Sequence, residues 1–235
     1  MLDFTGKTAL ITGAAGNLGR AVAGAFAARG ARLVLLDVDG KRLDAAYPGE
    51  RDDRMTCAVD LLQPEAVAKA VARAHERFGT LDVLAAIAGG FHMGDPVHKL
   101  PAAAWDRMFD LNARTLLNTV SAVVPVMLEQ GRGRIVTVGA NAARQGMAEM
   151  SAYIAAKSAV IRLTESLSAE LRGRGINVNC VMPSIIDTPE NRNAMPGADP
   201  GNWVAPEKLA NVILFLASDE ASAVHGASVP VVGLS

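Results

Sequence analysis

The sequence predicts a doubly wound α/β domain, a parallel sheet with helices on both faces. Short runs rich in Val, Ile and Leu, as expected of strands buried on both sides, alternate with longer segments of helical period. Alternation of this kind builds a parallel sheet through right-handed crossovers. Only 4% of the residues are aromatic while Ala and Gly abound, which suits close packing of helix on sheet.

From the N-terminus, strands are expected at Ala9–Thr12, Arg32–Asp37, Thr56–Val59, Val83–Ala86, Arg134–Val138 and Asn177–Val181. Helical period marks Ala21–Arg29, Glu65–Phe78, Ala102–Glu129 and Ala152–Arg174. No Ser-rich linker or repeat divides the 235 residues, so residues 1–235 read as one domain. The irregular segment from Pro183 to Pro206 carries five prolines together with Asn191, Arg192, Met195 and Trp203. A segment of that length in a compact domain is usually functional, so 183–206 is expected to be a substrate lid.

Lys and Arg number 23 against 24 Asp and Glu, leaving no field to attract nucleic acid or an anionic membrane. A small molecule is the expected partner. The opening MLDFTGKTALITG lacks the cationic start and apolar run of a signal peptide, and no stretch reaches the roughly 18 apolar residues of a membrane span. Cys57 and Cys180 are too few for a disulfide framework or a metal site, which points to the cytoplasm.

The first strand runs into Gly13-Ala14-Ala15-Gly16-Asn17-Leu18-Gly19 and then a helix opening with Arg20. Glycines at such a turn let the backbone approach a pyrophosphate, whose charge is held by amides and the helix N-terminus. Gly13, Gly16, Asn17, Leu18 and Gly19 are therefore candidate dinucleotide contacts. Asp37, ending the second strand, has the spacing of a carboxylate that accepts the adenosine ribose hydroxyls. Its charge would repel a 2′-phosphate, favouring NAD(H) over NADP(H). Asp60 follows the third strand and either addresses the adenine or caps the strand end.

Tyr153 and Lys157 stand four residues apart on an expected helix and so share one face. A phenol with a reference pKa of about 10 is made more acidic by a nearby ammonium, giving a plausible acid/base unit.

These elements, in this order and spacing, resemble the short-chain dehydrogenase/reductase superfamily over essentially the whole chain. The matching residues are Thr12, Gly13 and Gly19, then Asp37, Asp60, Ala88-Gly89, Asn112, Tyr153 with Lys157, and Pro183 with Thr188. The resemblance implies a Rossmann-like fold and an NAD-dependent oxidoreductase with further cofactor contacts at Ala88, Gly89, Pro183, Ile186 and Thr188. It implies that Tyr153 handles the substrate proton, that Lys157 holds the nicotinamide ribose and lowers the tyrosine pKa, and that Asn112 positions a proton-relay water. It also implies a homo-oligomer, a dimer or tetramer packed through the Ala102–Glu129 and Ala152–Arg174 helices.

One departure stands out. The superfamily's catalytic serine falls 13 positions before the tyrosine, and here that residue is Ala140. Losing one hydrogen-bond donor at a developing oxyanion typically costs about 10²–10³ in rate. Asn141, Ser151 and Ser184 are candidates to replace it. Locally the pattern is similar to dihydropteridine reductases in the glycine loop, in Ala88-Gly89-Gly90, in the alanine at 140, and in the run from Asp187 through Trp203.

His75, His92, His98 and His225 fit no metal-ligand spacing and suggest no partner carboxylate, although His92, within Phe91-His92-Met93, could line the substrate pocket. The preferred reading is an NAD(H)-linked oxidoreductase acting on a small carbonyl or imine-like carbon. A dihydropteridine-reductase-like enzyme is the alternative, and a nucleotide-binding sensor or scaffold with little turnover is a rival of another class. Asn112, Tyr153 and Lys157 argue against that rival, because mere binding would not require the tyrosine.

Overall fold

The computed structural model describes residues 2–235. Seven strands form one parallel sheet in the order β3-β2-β1-β4-β5-β6-β7. They are β1 Thr8–Thr12, β2 Arg32–Asp37, β3 Arg54–Ala58, β4 Val83–Ala86, β5 Gly133–Val138, β6 Ile176–Pro183 and β7 Ser228–Val231. The helices are α1 Asn17–Ala27, α2 Gly40–Ala46, α3 Pro64–Phe78, α4 Ala102–Phe109, α5 Thr115–Gln130, α6 Ser151–Leu171, α7 Pro189–Ala194 and α8 Pro206–Leu216. The fold is Rossmann-like.

Side chains along β1 alternate between faces, as the period of a strand requires. Ala9 and Ile11 pack with Val22 and Phe26 of α1 and Leu209 and Ile213 of α8. Leu10 packs on the other face with Val67 and Val71 of α3, Val123 of α5 and Val160 of α6. Strand order reverses between β1 and β4, opening a crevice beyond their carboxyl ends where open α/β sheets bind ligands. Thr12 Oγ1 accepts from the Ile87 and Ala88 amides at 3.0 and 3.1 Å, fixing the two strand ends to each other.

Four differences from the sequence reading have physical causes. Strand β7 was not expected because Pro230 interrupts it, and the edge of the sheet, where one side needs no donor, tolerates this. Helix α1 starts at Asn17 rather than Ala21, so the glycine loop leads directly into its first turn. The Pro183–Pro206 segment is not structureless: it contains α7, a 3₁₀ turn at Pro200–Asn202 and a bridge pairing Ile186 with Val204.

The fourth difference is that Ala102–Glu129 is not a regular helix. A π-turn at Asp110–Arg114 separates α4 from α5. The whole run, Ala102–Gln130, has the length and mean hydropathy (1.2) of a membrane span, but it packs into the layer formed with α3 and α6.

Candidate active site

The glycine loop is shaped for close approach. Gly13 sits at φ +65°, and a Cβ there would lie 3.0 Å from the Ala88 backbone. A Cβ on Gly19 would strike the Gly13 carbonyl oxygen. Gly16 caps α1 without a side-chain hydrogen bond, and the first turn carries no acidic residue. The amides of Asn17, Leu18 and Gly19 therefore open onto the crevice with the positive end of the helix dipole behind them. These features fit a dinucleotide pyrophosphate.

The loop is held from behind. Asp37 Oδ2 accepts from the Ala15 amide at 2.9 Å, which sets its carboxylate beside the loop. Tyr47 Oη donates to the Ala14 carbonyl at 2.8 Å. Asp60 caps a turn, accepting from the Leu62 amide at 2.9 Å. Across the crevice, Pro183 ends β6 beside Val231. The Ile186 carbonyl accepts from Asn191 Nδ2 at 2.8 Å, and Thr188 Oγ1 caps α7 by accepting from the Asn191 amide. Arg192 grips Asp187 through two nitrogens at 2.6 and 2.7 Å. Asn17 Nδ2 donates to Glu190 Oε2 at 2.7 Å, a link between the loop and α7 that the sequence did not disclose.

Asn112 lies buried in the π-turn. Its Nδ2 donates to the Met108 carbonyl at 2.9 Å and to the Gly90 carbonyl at 3.1 Å, while its Oδ1 accepts from the Gly90 amide at 3.2 Å. Side-chain bonding of this kind to a carbonyl one turn back competes with the regular ladder, as π-turns at functional sites often show. Gly89 is pressed against two of the expected residues, since a Cβ there would lie 2.7 Å from Asn112 Oδ1 and 3.1 Å from Lys157 Nζ.

Lys157 is 6% exposed and its Nζ donates to the Val138 carbonyl at 2.8 Å. Burial pulls its ammonium down to about 8. Burial pushes the Tyr153 phenol up to about 12. Lys157 Nζ bonds the β5 carbonyl of Val138 rather than the phenol.

Ala140 is buried, with no donor of its own to offer. Of its candidate replacements, Ser184 is committed elsewhere, donating to the Val232 carbonyl at 2.9 Å. Asn141 Oδ1 and Ser151 Oγ are buried without a hydrogen-bond partner. Sequence reasoning also missed two contacts. His92 Nε2 has a carboxylate partner after all, Asp95 Oδ2 at 2.7 Å, readable in hindsight from the three-residue spacing. The Phe91 ring meets the Tyr153 ring edge to face, with centroids 4.9 Å apart.

Comparison with known proteins settles the family. The short chain dehydrogenase family model matches residues 7–198. The chain belongs to this family. It is 36% identical to cis-4-hydroxycyclohexanecarboxylate dehydrogenase of Sinomonas cyclohexanicum, the match covering 98% of this chain and 96% of that one. It is 32% identical to D-threitol dehydrogenase of Mycolicibacterium smegmatis, over 97% and 92%. The crystal structure of NAD+-bound xylitol dehydrogenase superposes with a TM-score of 0.90 at 28% identity, covering 98% of this chain and 99% of that one. The chain is therefore an oxidoreductase of the short-chain type.

Proposed function

We propose that the protein interconverts a secondary alcohol and the corresponding ketone with NAD(H), with Tyr153 as the proton-transfer residue. One observation carries this reading: Gly89, at the end of β4, abuts both Asn112 and Lys157, so three expected catalytic and cofactor positions converge beside the glycine cradle. The cofactor is NAD(H), supported by Asp37 at the ribose end and by the NAD+-bound neighbour. When bound, it exchanges a hydride with the substrate carbon.

The chain supplies the rest. A phenol with its pKa near 12 keeps its proton across the neutral range and can deliver it to a carbonyl oxygen. Lys157, fixed by Val138, presents a buried ammonium to the ribose side of the crevice. Asn112 holds the Gly90 backbone through two bonds, at its amide and its carbonyl, and so sets the wall against which the substrate and cofactor meet. Asp37 excludes a 2′-phosphate by like charge. Copies of the chain are proposed to associate through α4, α5 and α6, a reading supported by the exposed Trp105 and Leu117.

The test is oxidation of NADH in the presence of ketones, and reduction of NAD+ in the presence of secondary alcohols, by the parent and Tyr153→Phe. Turnover in the parent that falls by about 10²-fold or more in the variant, with NADH affinity unchanged, is expected. Full activity in Tyr153→Phe would overturn the assignment.

A further inference from the structure

The ring that packs on Tyr153 is apolar and open to solvent. Phe91 stands edge to face on the phenol at an interplanar angle of 79°, yet 57% of it is exposed. Met93 and Met147 are 50% and 48% exposed. Large apolar side chains left open beside a reacting group form a surface that a substrate can cover.

This surface is built rather than incidental. Asn112 pins Gly90, the residue before Phe91, at both its amide and its carbonyl. A Cβ on Gly90 would lie 2.7 Å from Leu111 Cδ1, so any side chain there would have to displace Leu111. Further along, the Gly94 amide donates to the Glu149 carbonyl at 2.9 Å. Glu149 is held at φ +62°, a left-handed conformation costly for a non-glycine residue. That bond ties the loop carrying Phe91 and Met93 to the loop carrying Met147, immediately ahead of the helix that bears Tyr153. His92 and Asp95 pair with each other across the first loop. The phenol's high pKa arises from burial, with no charged neighbour contributing.

We propose that Phe91, with Met93 and Met147, is a specificity element that admits a ketone or secondary alcohol borne on an uncharged apolar ring and disfavours polyhydroxylated chains. The inference rests on the oxidoreductase reading above. An aromatic edge and two polarizable thioethers offer flat, adaptable contact to a ring, while the nearby His92 and Asp95 are already paired with each other, so extra hydroxyl groups lying on the apolar side chains would be desolvated unpaired.

The test compares 4-methylcyclohexanol with xylitol, NAD+ as oxidant, in the parent, Phe91→Ala and Phe91→Leu. The parent is expected to favour the ring by about tenfold or more in kcat/KM. Phe91→Ala should lower kcat/KM for the ring by about tenfold, chiefly through KM, and leave xylitol within about twofold. Phe91→Leu should retain part of the preference, and unchanged NAD+ affinity in both variants shows that the fold is intact. Equal or better use of xylitol by the parent, or equal losses on both substrates in Phe91→Ala, overturns the proposal. Calorimetric binding of 4-methylcyclohexanol to the NADH-saturated protein separates it from the function on which it rests. Binding that depends on Phe91 without turnover refutes the proposed alcohol–ketone activity and upholds the specificity surface; neither binding nor turnover refutes both.

Discussion

Asn17 and Glu190 are joined side chain to side chain at 2.7 Å, so the first residue of α1 is hydrogen-bonded to α7, across the crevice from the glycine loop. Hydrogen bonds to backbone and neighbours hold the Glu190 carboxyl below its usual range, so it is ionised at neutral pH. A negative charge thus stands beside the amides that fit a pyrophosphate. Glu190→Gln keeps an oxygen to accept from Asn17 and removes the charge. The variant should bind NADH about two- to tenfold more tightly at low salt, with the gain shrinking as salt screens it. Fluorescence titration of NADH at two ionic strengths measures this, and unchanged affinity at low salt would contradict it.

On the proposed reading, Asp37 sets the choice between NADH and NADPH. Its carboxylate is the acidic group beside Ala15 at the adenosine end, and it should make NADH bind at least tenfold more tightly than NADPH. Asp37→Asn can still accept from the Ala15 amide but carries no charge, so the preference should narrow mainly through tighter NADPH binding. Calorimetry with both nucleotides on both proteins checks the prediction; tighter binding of NADPH to the parent would refute it.

Lys157 trades stability for function. Its ammonium is depressed from 10.5 to about 8 on folding, so the unfolded chain binds more protons between those values and stability should rise with pH through that window. Below about pH 8 the full cost of burying the charge is present, on the order of 3 kcal/mol. Lys157→Met removes that cost but leaves the Val138 carbonyl unpaired, a loss of about 1 kcal/mol or more. At pH 7 the variant should melt several degrees higher while losing NADH affinity and turnover. Tyr153 has the opposite sign above pH 10: its raised pKa means that the folded chain retains a proton the unfolded chain gives up, so stability should fall as pH climbs from 10 towards 12. Melting curves of the parent, Lys157→Met and Tyr153→Phe from pH 7 to 11 separate the two contributions.

Ala140 invites a gain of function. If a simple ketone is reduced without the missing hydroxyl, Ala140→Ser should raise kcat on ketones by about tenfold, with little change in NADH binding. If the Asn141 amide already supplies the donor, Asn141→Ala should lower kcat by about tenfold or more and Ala140→Ser should add nothing. Steady-state kinetics of the two variants distinguish these outcomes. Ser184 is bound to Val232, and its removal should leave kcat alone.

The fold and the identity of the cofactor were legible because their signals are local. A glycine loop between a strand and a helix, an aspartate at the next strand end, and a tyrosine four residues before a lysine each lie within one or two elements. The parallel sheet follows from the alternation of runs. What stayed hidden depends on distant partners or short elements. The approach of Phe91 to Tyr153 and of Asn17 to Glu190 joins residues from different parts of the chain. Helix α2 spans only seven residues and begins at Gly40, too little for a periodicity to appear. The burial that raises the Tyr153 phenol and lowers the Lys157 ammonium is likewise something sequence spacing does not report.

The π-turn at Asp110–Arg114 puts α4 and α5 out of phase, since a turn widened by one residue shifts every later side chain by about 100° around the axis. Asn112 sits inside that offset. Deleting one residue of the turn would let the helix run straight and close its ladder, and the apolar stripe of α5 that faces α3 would then rotate away from its partner or drag Asn112 off Gly90. The irregularity is therefore a register mark: it lets one continuous helical run satisfy two demands, a core-facing stripe on α5 and an inward amide at the active site, that no uniform helix of this sequence could meet together.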